Sequence, residues 1–224
     1  MQNKIFTPNP RRPQSFIPIA LVALICALPL IVGVWHHSPW LTRLDQPIVS
    51  FICHNRPGWL TTILMFITTL GDPLNVTFLA AIFALVLWWH KRPYQALFGL
   101  TNVAVMSGVN HLIKQWLRRP RPFVTDPSIH PLTTAGGFSF PSGHSAGAML
   151  LYGSLIVLTM IWPLARKWAW GLRIASGLMI FLTGISRIYV QVHYPTDVFA
   201  GWLLALFGVS LLAYLWWPKI KSEA

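Results

Sequence analysis

The segment from Phe16 to about Trp35 contains no charged side chain over about 20 residues, the length that crosses a hydrocarbon core of roughly 30 Å. A cleavable signal peptide is the alternative explanation for an apolar segment near the N-terminus. This run is longer than the apolar region of a signal peptide, and no small-residue cleavage site follows it in residues 35–40. We therefore predict a retained membrane-spanning helix.

Further apolar stretches follow, separated by short polar, Pro-containing or Gly-containing segments. The other predicted spans are about Leu74–His90, Tyr94–Ile113, Ser142–Trp162, Ile174–Ser186 and Asp197–Trp217. Residues 59–70 are apolar but too short to cross, which suggests an interfacial or re-entrant helix, and residues 36–58 are mixed and expected at the membrane surface. Only 10% of the residues are charged, against about 25% in a soluble domain. The sequence thus predicts an all-α, polytopic membrane protein with six transmembrane helices.

Composition divides the chain into three parts. Residues 1–15, which include three prolines and two adjacent arginines, are predicted to form a disordered basic tail. Residues 16–217 form the six-span membrane domain. Residues 218–224 begin with Pro218, which cannot easily continue a helix, and are predicted to form a short basic tail.

The chain has 17 Lys and Arg residues, 5 Asp and Glu residues and a formal charge of +12. A basic excess can indicate nucleic acid, an anionic membrane surface or an anionic substrate. Here the charges lie singly or in short clusters between long apolar runs, which argues against nucleic acid as a partner. The few carboxylates and the two cysteines, Cys26 and Cys53, match no pattern for a metal site or a disulfide, so we expect no cofactor.

The distribution of Lys and Arg predicts the orientation of the helices. With the N-terminus in the cytoplasm, every connecting segment on the cytoplasmic side is basic. Most basic residues on the other side cluster between Lys114 and Arg121, where a function could override the rule. We expect both termini in the cytoplasm and the long polar loop, about residues 114–140, outside.

Three polar segments that are far apart in sequence then share the outer face. They are Lys114–Pro122 after the third span, Pro141–Ser145 at the start of the fourth, and Ser186–Asp197 between the fifth and sixth. The second segment has the features of a helix start, because a proline and a good N-cap serine precede a glycine that leaves the free N–H groups uncovered. We expect these segments to form the active site at the extracytoplasmic membrane surface.

Each of these features also has an ordinary structural explanation. Arg118 or Arg119, considered alone, is more simply a side chain that extends to the interface, and Ser142 is an ordinary helix cap. His193, four residues before Asp197, can be a satisfied histidine at a helix start. Together, however, three cations, a helix N-terminus and two histidines with one acid would repel each other unless an anion bound between them. The combination predicts a site for a tetrahedral dianion.

The residue types at this site suit phosphoryl transfer. The charge on the three equatorial phosphate oxygens must be neutralised, and Lys114, Arg121 and Arg187 can do this with the backbone N–H groups of Ser142 and Gly143.

Two histidines and a carboxylate can supply the remaining chemistry. His193 is a competent phosphorus nucleophile if Asp197 holds its other ring nitrogen in the right tautomer. His144 can act as the general acid for the departing oxygen and afterwards as the base for water.

These motifs resemble the three-part signature of the type 2 phosphatidic acid phosphatase superfamily. They are Lys-x6-Arg-Pro from Lys114, Pro-Ser-Gly-His at 141–144, and Ser-Arg-x5-His-x3-Asp from Ser186 to Asp197. The resemblance implies a metal-independent phosphatase with a phosphohistidine intermediate and the same residue roles. Soluble vanadate-dependent haloperoxidases share the signature, but the predicted spans argue against that branch.

The resemblance also narrows the substrates. Members of similar size act on undecaprenyl diphosphate, phosphatidylglycerol phosphate or phosphatidic acid, and an outward-facing site favours undecaprenyl diphosphate. Arg118, Arg119 and the segment around Arg56 are candidates for binding a second phosphate. Two alternatives stay open at this point: a lipid-to-lipid phosphotransferase or lipid A phosphatase that uses the same residues, and an anion channel or transporter, which would not need the His193–Asp197 pair.

Overall fold

The computed structural model describes residues 13–224, which form nine helices and no β-strand. The helices are α1 (Phe16–Trp35), α2 (Pro39–His54), α3 (Gly58–Leu70), α4 (Pro73–Trp89), α5 (Pro93–Leu117), α6 (Pro122–Thr125), α7 (Gly143–Leu158), α8 (Arg166–Tyr189) and α9 (Pro195–Lys221). The all-α prediction is confirmed for this part of the chain. Most of the predicted N-terminal tail, residues 1–12, lies outside it.

Four helices are long and apolar enough to cross a membrane by themselves: α1, α5, α8 and α9. The pair α3 and α4 passes the same test together, with a bend of 57° at their junction. The remaining predicted span, α7, has 16 residues and is shorter than a typical crossing. The protein is a multi-pass membrane protein, and the count of six spans stays a prediction.

The last helix differs from its prediction. It continues through Pro218 to Lys221, so the expected C-terminal tail begins inside α9. The carboxylate of Glu223 then accepts hydrogen bonds from the backbone N–H groups of Tyr94 (2.8 Å) and Gln95 (3.0 Å) at the start of α5. A negative charge is favourable at a helix N-terminus, which explains why the end of the chain is packed and not free.

The start of α8 also differs from its prediction. The helix begins at Arg166 and not near Ile174, because basic residues of its first turns have partners within the protein. The guanidinium of Arg173 donates to the hydroxyl of Thr159 (2.8 Å), and the Lys167 ammonium lies 5.5 Å from the Trp168 ring. Long basic side chains paired in this way are compatible with a helix that enters a membrane interface.

Helix α7 lies at the centre of the fold, packed against α4, α5, α8 and α9. Small residues let the backbones approach: a Cβ atom at Gly201 of α9 would lie only 2.6 Å from the carbonyl oxygen of Ser142. The outer surfaces of the other helices carry large exposed apolar side chains, such as Leu74 and Trp89, which suits contact with lipid. The start of α7 is thus held tightly against the start of α9, where the predicted site lies.

Candidate active site

His193 lies in the turn between α8 and α9 and is only 2% exposed. Its Nδ1 atom is 3.4 Å from the Oδ2 atom of Asp197, and its Nε2 atom is 3.3 Å from a guanidinium nitrogen of Arg121. Asp197, in the first turn of α9, is fully buried and also accepts from the Tyr194 backbone N–H (2.9 Å) and from the hydroxyl of Ser139. If Nδ1 carries the proton, the lone pair of Nε2 faces the cationic side of the site.

Burial lowers the pKa of His193 to about 3, against the opposing effect of its hydrogen bond to Asp197. His193 is therefore neutral in the folded protein at physiological pH. The unfolded chain has an ordinary histidine pKa near 6.5. Because only the unfolded state gains this proton as the pH falls from about 6.5 towards 3, acid destabilises the fold through His193.

We expect the free energy of unfolding to fall less steeply between pH 6.5 and 5 when His193 is replaced by glutamine. One proton taken up only by the unfolded state costs about 1.4 kcal/mol for each pH unit. Thermal unfolding of the purified protein and of His193→Gln, each in detergent at several pH values, measures the difference in slope. Equal slopes would contradict a buried, neutral His193.

Backbone carbonyls of the loop before α7 and of the turn before α9 orient two of the three predicted phosphate-binding cations. Arg121 is buried and donates to the carbonyl oxygens of Gly136 (2.8 Å) and Val192 (2.7 Å). The Lys114 ammonium donates to the carbonyl oxygens of Phe138 (2.8 Å) and Ser139 (3.4 Å). A carbonyl carries no net charge, so these contacts orient both side chains without pairing them with an acid.

Arg187, at the C-terminal end of α8, donates to the Thr68 hydroxyl of α3 at 2.5 Å. Its Nε atom is buried without a hydrogen-bond partner among residues 13–224. A buried unpaired N–H group is costly, and an anion in the site would satisfy it. The charges of Arg187, Arg121 and Lys114 all act on His144, so the three predicted cations lie near this ring.

The start of α7 has the predicted cap but not every predicted donor. The Ser142 hydroxyl accepts from the backbone N–H of Ser145 (3.4 Å) as an N-cap. The backbone N–H of Ser142, however, donates to the carbonyl oxygen of Asp197 (3.0 Å), so it is engaged in joining α7 to α9. This corrects the prediction that Ser142 offers its backbone N–H to phosphate. Gly143 and His144 occupy the first two helix positions, where N–H groups have no intrahelical acceptor.

His144 lies beside the break between α3 and α4. Its Nε2 atom is 3.8 Å from Oδ2 of Asp72, whose other carboxylate oxygen caps α4 by accepting from the Leu74 N–H (2.9 Å). The Asn110 side chain of α5 lies 3.9 Å from the place where a Cβ of Gly143 would be, and its Oδ1 is buried with no partner in residues 13–224. These polar groups lie beside the start of α7, next to the candidate anion site. No group of three or more His, Cys, Asp or Glu side chains in residues 13–224 is placed to hold a metal ion.

Sequence reasoning missed a buried ion-pair network behind Asp197. Arg119 was explained as an interfacial side chain, but its guanidinium pairs with Asp197 (2.6 Å) and with Asp45 of α2 (2.7 Å). Arg119 is therefore unavailable for the second phosphate that the sequence suggested, whereas Arg118 is exposed and lies 5.8 Å from the Phe138 ring.

The sequence does contain a pattern that indicates the burial of Asp45. Leu41, Asp45 and Val49 follow one another at steps of four residues, so they share one helical face. All three are buried in α2. A carboxylate aligned with two apolar residues that face the core predicts a buried acid with a cationic partner.

Known proteins are similar to this chain in sequence. The profile of the PAP2 superfamily matches residues 95–221. Phosphatidylglycerophosphatase B of Bacillus subtilis is 30% identical over 178 residues, which cover 79% of this chain and 85% of that protein. Undecaprenyl-diphosphatase BcrC of the same organism is 34% identical over 131 residues, which cover 56% of this chain and 62% of that protein.

A solved structure has a similar fold. The crystal structure of a transmembrane PAP2-type phosphatidylglycerolphosphate phosphatase from Bacillus subtilis superposes with a TM-score of 0.77 and 28% identity, covering 86% of this chain and 93% of that one. The family match covers more than half of the chain and contains all three motifs. The chain belongs to the PAP2 superfamily.

Proposed function

We propose that this protein is a lipid phosphatase that hydrolyses the terminal phosphate of a membrane lipid through a phosphohistidine on His193. The observation that carries the proposal is the buried His193, with Nδ1 facing Asp197 and Nε2 facing Arg121. A histidine with a purely structural role would not need a guanidinium beside the ring nitrogen that faces away from Asp197. A nucleophile needs that cation, because Arg121 can hold the phosphate that Nε2 attacks.

In the first step, the lone pair of His193 Nε2 attacks the phosphorus atom in line with the leaving oxygen. The N–P bond forms as the P–O bond to the lipid breaks, and the electron pair leaves with the lipid oxygen, which takes a proton from His144. The bound phosphate dianion offsets the cations that act on His144, and the carboxylate of Asp72, 3.8 Å from the ring, adds to this, so that His144 can carry the proton that this step requires. The Nδ1–H of His193 donates to Asp197 as the ring becomes positively charged.

In the second step, water replaces the lipid. His144, now neutral, takes a proton from water while the water oxygen attacks phosphorus. The N–P bond breaks, its electron pair returns to Nε2, and inorganic phosphate leaves. Lys114, Arg121 and Arg187, with the N–H groups of the first turn of α7, stabilise the charge on the phosphate oxygens in both steps.

For the substrate, we place phosphatidylglycerol phosphate ahead of undecaprenyl diphosphate, which reverses the order that the sequence favoured. A relative that matches this chain over 85% of its own length is named a phosphatidylglycerophosphatase, and a solved structure that superposes with a TM-score of 0.77 is a phosphatidylglycerolphosphate phosphatase. Arg119, one candidate for binding a second phosphate, is occupied by two carboxylates. Undecaprenyl diphosphate stays the second candidate because a second relative, 34% identical, is an undecaprenyl-diphosphatase.

We further propose that the site faces the outer side of the membrane, with both termini in the cytoplasm. The support is the basic character of the predicted cytoplasmic segments, residues 91–92, 166–173 and 219–221. An alkaline phosphatase reporter fused after Lys221 should be inactive, because that enzyme matures only outside the cytoplasm. An active fusion would reverse the orientation.

The purified protein, assayed in detergent with excess EDTA, should release phosphate from phosphatidylglycerol phosphate faster than from undecaprenyl diphosphate or phosphatidic acid. Resistance to EDTA is expected because the cations and helix N-terminus do the work of a metal. Loss of activity in EDTA that returns with Mg²⁺ would contradict the mechanism. Faster release from undecaprenyl diphosphate would make that lipid the preferred substrate, as the sequence suggested.

A lipid-to-lipid phosphotransferase would use the same first step but admit an acceptor lipid in place of water. The same assay with phosphate-labelled substrate separates the two, since a hydrolase yields free inorganic phosphate and a transferase yields a second labelled lipid. A lipid A phosphatase would show its highest rate on lipid A in the same panel. An anion channel would show neither reaction.

A further inference from the structure

The two oxygens of the Asp197 carboxylate have different partners. Its Oδ2 atom faces His193 and accepts from the Tyr194 backbone, whereas its Oδ1 atom accepts from Arg119 (2.6 Å). An arginine fork commonly binds both oxygens of one carboxylate. That bidentate arrangement would compete for Oδ2 with His193.

The fork of Arg119 is instead divided between two acids. Its second terminal nitrogen donates to Oδ2 of Asp45 (2.7 Å), and Asp45 is held in turn by the backbone N–H (2.9 Å) and hydroxyl (2.7 Å) of Thr196. The Tyr194 ring lies under the guanidinium, 4.1 Å from its central carbon. These contacts fix the plane of the fork, so that only one of its nitrogens meets Asp197.

The same arrangement determines the charge beside His193. Asp45 and Asp197 are fully buried, and a single guanidinium lies between them, so the three groups together carry one negative charge. Phosphoryl transfer to His193 makes its ring positively charged. A residual negative charge next to the ring stabilises that state, and it would disappear if Arg119 were paired with Asp197 alone.

We propose that Arg119 and Asp45 are positioning residues for the nucleophile: Asp45 holds one arm of the Arg119 fork and thereby leaves Asp197 free, and negatively charged, for His193. Asp45 lies on α2, before residues 95–221 that match the family profile. The inference rests on the proposed function, because it concerns the charge formed on His193 during catalysis.

The proposal predicts that a double variant has a higher kcat than one of its single variants. Asp45→Asn releases the fork onto Asp197 and cancels its charge, so we expect kcat to fall about tenfold or more with little change in KM. The double variant Asp45→Asn/Arg119→Gln removes the fork as well and returns the negative charge of Asp197 to His193. We expect its kcat to be higher than that of Asp45→Asn alone. A purely structural network gives the opposite order, because removing Arg119 as well leaves the buried Asp197 without its cationic partner and destabilises the protein further.

The experiment measures kcat, KM and the thermal midpoint of these variants in detergent, with Asp126→Asn as a matched control. Asp126 is on the same outer face, but its carboxylate binds Ser128 and not Arg119. Asp45→Ser removes the same charge with a smaller side chain and serves if Asp45→Asn does not fold. Nitrogen-15 spectra of histidine-labelled protein show, without any assay, whether His193 keeps its proton on Nδ1 in each variant.

Recovery of kcat in the double variant, with wild-type behaviour of Asp126→Asn, supports the proposal. A double variant that is slower than Asp45→Asn, or an Asp45→Asn protein with wild-type kcat and His193 spectrum, overturns it. His193→Ala in the same series separates this result from the proposed function. If His193→Ala keeps releasing phosphate, His193 is not the nucleophile. The spectra of His193 in the Asp45 and Arg119 variants would still show whether these two residues control its protonation.

Discussion

Replacement of His193 by alanine should lower phosphate release by about 10⁴-fold or more, because removing a nucleophile leaves only the contribution of binding and electrostatics. The cations and the start of α7 stay in place, so we expect substrate binding to persist. The measurement is initial-rate phosphate release from phosphatidylglycerol phosphate at saturating substrate. In the unmodified protein, a brief incubation with phosphate-labelled substrate should leave label on the chain, and His193→Ala should carry none.

His130→Ala is the matched control for this variant. His130 is exposed in the loop between α6 and α7, and its backbone carbonyl, which accepts from Arg56 (3.1 Å), is kept in the variant. We expect wild-type rates from it. Phosphate release by His193→Ala within tenfold of the unmodified protein would exclude His193 as the nucleophile.

Replacement of Gly201 by alanine should damage the site without touching any residue that contacts substrate. The added methyl group would meet the carbonyl oxygen of Ser142 at 2.6 Å and the backbone nitrogen of Ala146 at 3.3 Å. Backbone atoms cannot rotate away, so α9 must move from the start of α7. A shift of about 1 Å between reacting groups can cost roughly 10²-fold in rate, and overpacking costs about 1–3 kcal/mol of stability. The rate of phosphate release measures the first effect, and the thermal midpoint of unfolding measures the second.

Gly177→Ala provides the comparison within the same fold. Gly177 is also inside a long helix, α8, but a Cβ atom there would have no neighbour within 4 Å. Alanine is a better helix former than glycine by about 1 kcal/mol, so this variant should be as stable as the unmodified protein or slightly more so. Equal behaviour of the two variants would show that α7 and α9 tolerate separation.

The sequence was most informative where spacing reports on helical geometry. His193 and Asp197 are four residues apart across the proline that starts α9, and the structure brings their side chains to 3.4 Å. The cap at Ser142 is likewise a local property, set by a serine that precedes a glycine. Local features of this kind need no knowledge of the rest of the chain.

Helix ends were predicted less well, because tertiary partners decide them. Composition marked Pro218 as an end, but α9 continues past it, and Glu223 caps α5 from 128 residues away in sequence. The basic residues at the start of α8 suggested a loop, but the ring of Trp168 and the hydroxyl of Thr159 accommodate them in a helix.

The sequence by itself determined the apolar segments, the family and the residues of the candidate anion site, since each depends on residue type and short spacing. Only the tertiary structure decided how Asp197 is charged and held. Arg119 meets Asp45 across 74 residues, and the N–H of Ser142 binds the carbonyl of Asp197 across the contact of α7 with α9. The physical reason is that a buried charge is stable only with a partner, and packing between helices that are distant in sequence selects that partner.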